Sequence, residues 1–165
     1  MLDILSYLVR YIRVEELMKT IINAFSGDYN FLSNFYPCKV KLDDVVYPSV
    51  EHAYQAAKTL DLDDRKPFHK KPSPTAGESK KLGRKLKIRP DWESVKIKVM
   101  ENLLVQKFAD KDLKKRLEET GDATLIEGNW WGDTFWGVDK KKGGQNHLGK
   151  LLMKIRDSKL KEKTE

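Results

Sequence analysis

The stretch Tyr47 to Lys58 constrains this chain more than any other. Tyr47-Pro48 enters it extended, because a proline disfavours helical backbone in the residue before it. Ser49 is a natural N-cap, and from Val50 onward the apolar residues follow a helical period. Val50, Ala53, Tyr54 and Ala57 recur at i, i+3, i+4 and i+7, which predicts one buried stripe. Glu51, Gln55 and Lys58 keep the same spacing on a neighbouring face. A carboxylate, an amide and an amine therefore border the core, a costly arrangement unless they pair or do chemistry. The functional expectation is a catalytic acid/base pair on this helix. The plainer expectation is a surface glutamate with a lysine two turns away.

Before that helix, Cys38 to Leu42 alternates as a strand, Asp43-Asp44 is a turn, and Val45 to Tyr47 is the returning strand. Phe25 to Pro37 crowds aromatics among Gly, Ser, Asp and Asn, as suits a loop folded over a pocket or stapled into the core. Residues 1–20 read as an N-terminal amphipathic extension, dispensable for function and without a secretory cleavage signature, and Met18 offers a second start. Residues 21–157 are expected to form one domain, which would carry any catalysis, and 158–165 a charged tail.

After it, Asp61 to Gly77 has no apolar period and holds Pro67, Pro72 and Pro74 with Arg65, Lys66, Lys70 and Lys71. It reads as a mobile basic loop: a lid, a phosphate-facing surface or a solvated excursion. A short helix then runs from Ser79 to near Ile88. Asp91 caps the next helix, a further one spans Asp110 to Glu119, and the last spans Leu148 to Leu160.

Leu125 to Val138 packs three Trp, one Phe, two carboxylates and three glycines into one span, which is no plain amphipathic element. Glycines let backbone approach a ligand, aromatic faces stack on a planar ring, and carboxylates hold polar groups or a proton. A structural aromatic cluster is the alternative. Gly143-Gly144 precedes a helix and could cradle phosphate, but it matches neither a Walker loop nor G-x-G-x-x-G.

Composition narrows the class. Hydrophobic residues at 39% argue against disorder, and no apolar run approaches the roughly 18 residues a membrane span needs. The single Cys38 excludes an internal disulfide and fits a reducing, cytoplasmic setting, and no Cys/His spacing resembles a metal site. The net charge of +7 favours an anionic partner such as nucleic acid, a nucleotide or a phosphorylated metabolite, although a Lys-rich solvated surface would give the same value.

These motifs together resemble the NADAR (YbiA-like) family. The resemblance rests on Asn30-Phe31-Leu32-Ser33-Asn34-Phe35-Tyr36-Pro37, on Pro48 to Lys58 and on Leu82-Gly83-Arg84. It continues through Trp92, Lys107-Phe108, Thr120-Gly121, Leu125-Ile126-Glu127, Trp136-Gly137 and Gly144 to Met153, in order from about Asn23 to Arg156. It implies an α+β fold, predominantly helical with a small hairpin or sheet, and an N-glycosidase activity. The implied substrates are phosphorylated ribosylaminopyrimidine intermediates of riboflavin synthesis, or ADP-ribosylated guanine in nucleic acid. Glu51, Trp92 and Asp133 fall on the family's active-site positions, and the resemblance extends to Lys58, Asn34, Glu127, Trp136 and Asn146.

The residue types suit that chemistry. Breaking a C1–N bond passes through an oxocarbenium-like state that one carboxylate stabilises while an acid protonates the leaving nitrogen, tasks for Glu51 and Asp133 with Trp92 stacked on the base. Lys58 offers a Schiff-base route through the ring-opened sugar. Arg84, Lys80 and Arg89 are phosphate candidates, and neither metal nor cofactor is required. A non-catalytic nucleotide or nucleic-acid binding module is the alternative function.

Overall fold

Strand β1 (Ile21–Ile22) leads into a 3-10 turn, Gly27–Leu32, and then into a hairpin of β2 (Pro37–Leu42) and β3 (Val45–Ser49). Asp43 and Asp44 take φ of 47° and 64°, the left-handed pair that a two-residue hairpin connection requires. Leu42 therefore faces Val45 and Val40 faces Tyr47, with a bulge between Pro37 and Val40. A computed structural model describes residues 20–161; the amphipathic helix expected before residue 20 lies outside them.

The hairpin delivers the chain into helix α1 (Val50–Ala56), where Ser49 Oγ accepts from His52 N at 3.3 Å as the N-cap. The stripe of Val50, Ala53, Tyr54 and Ala57 is buried. So is every other residue of α1. The helix packs on one side against α3 (Ala76–Gly83) and on another against α4 (Trp92–Lys107), which leaves it no outer face. Glu51 is 6% exposed, so the reading of a surface glutamate fails.

The proline-rich stretch is more ordered than its composition implied. It contains α2 (Leu62–Arg65) and a 3-10 turn, Lys66–Phe68. Phe68 is buried, and Arg65 is buried with its guanidinium on Asp43 and on the carbonyl of Thr59. Helix α3 then begins earlier than the apolar pattern suggested, at a capping box in which Thr75 and Glu78 bond each other's backbone N–H. Asp91 stands at the N-cap position of α4, but its carboxylate serves Arg89 instead, at 2.6 and 2.8 Å.

Helix α5 (Lys111–Glu118) starts at an Asp110 cap, and α6 (His147–Lys161) closes the fold, running past the expected domain boundary at residue 157. Between them lie short strands that periodicity could not find: β4 (Thr124–Leu125), parallel to β1, and β5 (Gly128–Asn129), parallel to β6 (Val138–Asp139). Leu104, Phe108, Leu125, Leu148 and Leu152 are fully buried where α4, α6 and β4 meet. The class is α+β. Among the described residues no helix is long and apolar enough to cross a membrane.

Candidate active site

A cleft of about 460 Å³ opens between α1, α4, the aromatic loop around Asn34 and the Gly-rich segment after β4. Its walls include Glu51, Lys58, Trp92, Asn34, Glu127, Asp133 and Trp136. Seven of the nine residues expected at a site are thus brought together from segments far apart in sequence.

Each is positioned by an identifiable local cause. Helix α1 lowers Glu51 into the cleft, where Gln55, one turn on, donates Nε2–H to its Oε1 at 2.7 Å. Burial pushes the Glu51 carboxyl above its usual range, while the Gln55 bond and the charges of Lys80 and Lys58 pull it back. The Lys58 amine is lowered, chiefly by burial, against an opposing pull from Glu51. The Glu51 amide donates to the carbonyl of Asn34 at 3.0 Å. The preceding carbonyl, of Ser33, is held at 2.7 Å by the ammonium of Lys107, a residue only 1% exposed. Burial lowers that ammonium to about 8.

Glu127 is anchored through its backbone. Its N–H donates to Asn146 Oδ1 at 3.1 Å, and its carbonyl accepts from Val138 N at 2.9 Å. Its half-buried carboxyl is raised to about 7, first by desolvation and then by the charge of Asp133, with Lys80 opposing. Asp133 turns one oxygen, Oδ1, onto the N–H groups of Phe135 (3.1 Å) and Trp136 (2.9 Å), fixing the turn that carries Trp136.

Three rings make the apolar wall. Tyr54 meets Trp92 at 5.1 Å and Trp136 at 5.5 Å, and Trp136 Nε1–H donates to the Tyr54 hydroxyl at 3.2 Å. The Tyr54 hydroxyl is itself pushed well above the usual phenol range by burial. Such a wall offers flat faces to a heteroaromatic ring.

Two expected site residues are elsewhere. Asn146 does not line the cleft: at φ 53° it spends Oδ1 on Glu127 N and Nδ2 on the carbonyl of Leu125, so it braces the Glu127 backbone. Arg84 is exposed at the C-cap of α3 and does not line the cleft. Of the other phosphate candidates, Arg89 is occupied by Asp91, whereas Lys80 does line the cleft. No residue of Asp61 to Gly77 lines the cleft, so that basic stretch is neither its lid nor its phosphate-facing wall. Gly143 and Gly144 are absent from it too: a Cβ on Gly144 would stand 2.1 Å from the carbonyl of Gly137, so the second glycine permits close packing of two backbones. Tyr54 also lines the cleft, although its place in the apolar stripe signals only core. Lys96, which no sequence motif marks, lines it too, with Nζ 3.8 Å over the Phe135 ring.

Fold and cleft define an α+β domain with an aromatic-walled site lined by three carboxylates and a desolvated amine. Residues 23–160 match the NADAR domain, and the chain belongs to the NADAR family. It is 36% identical over 159 residues to the N-glycosidase YbiA of Escherichia coli, covering 94% of this chain and 99% of that one. It is 32% identical over 157 residues to a riboflavin biosynthesis protein of Vibrio vulnificus, covering 92% of this chain and 42% of the relative. The solved structure of E. coli YbiA superposes with a TM-score of 0.77 at 36% identity, covering 90% of each chain.

Proposed function

We propose that this chain is an N-glycosidase that hydrolyses the C1–N bond of a phosphorylated ribosylaminopyrimidine, an intermediate of riboflavin synthesis, in the cytoplasm. The observation that carries the reading is the convergence of Glu51, Asp133 and Lys58 with the Trp92–Tyr54–Trp136 wall on one cleft. A pyrimidine ring stacks on that wall, with Trp92 as its floor, and the ribose C1 faces the carboxylates. As the C1–N bond breaks, positive charge develops on the sugar, and carboxylates in a partly desolvated cleft oppose it more strongly than in water. Lys80, at the same cleft, is the cation for the phosphate.

Lys58 supports a covalent variant. Its amine is lowered chiefly by burial, which leaves more of it unprotonated to attack C1 of the ring-opened imine. That attack expels the aminopyrimidine and leaves a Schiff base, which water hydrolyses to restore the amine.

One observation favours a second substrate, ADP-ribosylated guanine in nucleic acid. Trp130 and Trp131 are 77% and 59% exposed at the cleft rim, and they border a second hollow with Lys140, Lys141 and Lys142. Exposed rings beside lysines suit an additional base and phosphate that a small metabolite lacks.

The test incubates purified protein with the ribosylaminopyrimidine phosphate and with DNA carrying ADP-ribosyl-guanosine, and follows released sugar by mass spectrometry. Release from the first, lost by about 100-fold or more in Glu51→Gln with binding retained, is the expected result. Release only from the DNA promotes the second substrate. No release from either, with tight binding of one, would leave a non-catalytic binding module.

A further inference from the structure

Three carboxylates line the cleft, and their hydrogen bonds differ. Asp133 accepts from two backbone N–H groups, and Glu51 accepts from Gln55. The side chain of Glu127 has neither kind of partner: among the described residues, its hydrogen bonds all run through its backbone. That backbone is held on both sides, by Asn146 and by Val138, and a Cβ on Gly137 would come within 3.3 Å of Glu127 Cγ. The carboxyl is therefore carried on a fixed stem, close against the chain, with its own oxygens unengaged.

A carboxylate that accepts N–H bonds is stabilised in its charged form, whereas one without donors, facing other carboxylates, favours holding a proton. In a cleft with several carboxylates, such divergent environments separate acid from base. We propose that Glu127 is the general acid of the glycosidase reaction, giving its proton to the leaving nitrogen.

This inference rests on the glycosidase reading, and it divides the work as follows. The Glu127 O–H transfers its proton to the nitrogen as the C1–N bond breaks and the bonding pair goes to nitrogen. The aminopyrimidine leaves neutral, and C1 carries the positive charge opposite the Asp133 carboxylate. Water then adds to C1, Glu51 orients it, and its proton returns to Glu127. The products are free ribose phosphate and the amine, and the enzyme is restored. Four charged groups from different elements face Glu127: Asp133 and Glu51 favour its protonated form, and Lys80 and Lys107 oppose it. Its carboxyl, near 7 under their combined influence and its own burial, holds a proton across much of the neutral range.

The test compares two substrates with one sugar phosphate: the ribosylaminopyrimidine phosphate, whose amine must be protonated to leave, and 4-nitrophenyl ribofuranoside 5-phosphate, whose phenolate leaves unaided. Glu127→Gln should lose about 10² to 10⁴-fold in kcat on the amine and only a small fraction of that on the nitrophenyl compound. Its kcat/KM should also lose the decline that the wild type shows as pH rises through about 7. Glu127→Asp, which keeps an acid on a shorter stem, should recover part of the activity and part of that decline. Equal losses on both substrates, or no loss on the amine, would overturn the assignment while leaving the glycosidase intact. Failure of the wild type to cleave either substrate would overturn the glycosidase reading itself, and the acid with it. Should Glu127→Gln prove unfolded by circular dichroism, the Asp variant decides: unchanged pH dependence and equal losses on both substrates would refute the role.

Discussion

Lys107 is a cation with almost no access to water, and replacing it by methionine has a consequence whose sign can be worked out. Its ammonium is lowered from 10.5 to about 8, chiefly by desolvation. Carrying the charge in the folded state therefore costs about 3 kcal/mol at neutral pH. Below about 8 both folded and unfolded chains hold the proton, and the full cost is present. Between about 8 and 10.5 the folded chain sheds the proton first, so stability rises with pH. Above that range the cost is gone. Methionine keeps the length and apolar stem but loses the bond to the Ser33 carbonyl, a deficit of about 1–3 kcal/mol that does not vary with pH. Lys107→Met should thus be between neutral and about 2 kcal/mol more stable than the wild type at pH 7. From pH 7 to 10 the wild type should gain about 2.5 kcal/mol on the variant. Urea denaturation at unit pH steps measures this. Both chains would carry Cys38→Ala, because the half-buried thiol, pushed up by burial, interacts electrostatically with Lys107 and its ionisation would add a pH dependence of its own. A stability difference that stays flat from pH 7 to 10 would refute the claim that this ammonium is desolvated.

Three further substitutions probe how the cleft is held. Gly83→Ala places a Cβ 1.9 Å from Gln55 Oε1, so Gln55 must swing and release Glu51. Steady-state kinetics should show kcat down roughly tenfold or more, although alanine favours a helix by up to about 1 kcal/mol; unchanged kcat with a raised Tm would show that the amide moves without effect. Asn146→Ala removes the partners of Glu127 N and the Leu125 carbonyl at a position with φ 53°. It should cost about 3 kcal/mol by chemical denaturation, and a loss under 1 kcal/mol would mean that water replaces the amide. If the covalent route operates, borohydride reduction during turnover should trap a sugar adduct on Lys58, absent in Lys58→Ala; peptide mapping that finds the label elsewhere would exclude it.

The parts that depend on short-range chemistry were legible in the sequence. The Asp43-Asp44 turn, the Ser49 cap and the apolar stripe of α1 follow from neighbours within a few residues, and each occurs as expected. What could not be read was which polar residues would be enclosed. Periodicity finds the first buried face of α1 but not the second, which exists only because α3 and α4 both close on it. Lys107 continues the spacing of Met100, Leu103 and Leu104 and is buried with them, although a lysine there reads as a boundary. Asn146 illustrates the converse: its residue type suits ligand binding, but the carbonyl of Leu125 and the amide of Glu127 reach it first. The two-residue strands β4 to β6 carry no period at all, so their pairing is settled entirely by contacts distant in sequence.

A helix enclosed on all sides also shapes how such a protein can change over generations. None of the seven positions of α1 faces solvent, so none is a place where neutral drift can accumulate. A deep mutational scan should record an unbroken block of intolerance there, without the every-third-or-fourth-residue relief of an ordinary amphipathic helix. The rim is the opposite case. Trp130 and Trp131 stand out in solvent on a turn pinned from behind, Asp139 taking the N–H groups of Gly132, Lys141 and Lys142. New preferences can therefore be tried at the rim, one side chain at a time, while the inherited chemistry stays sealed in the interior.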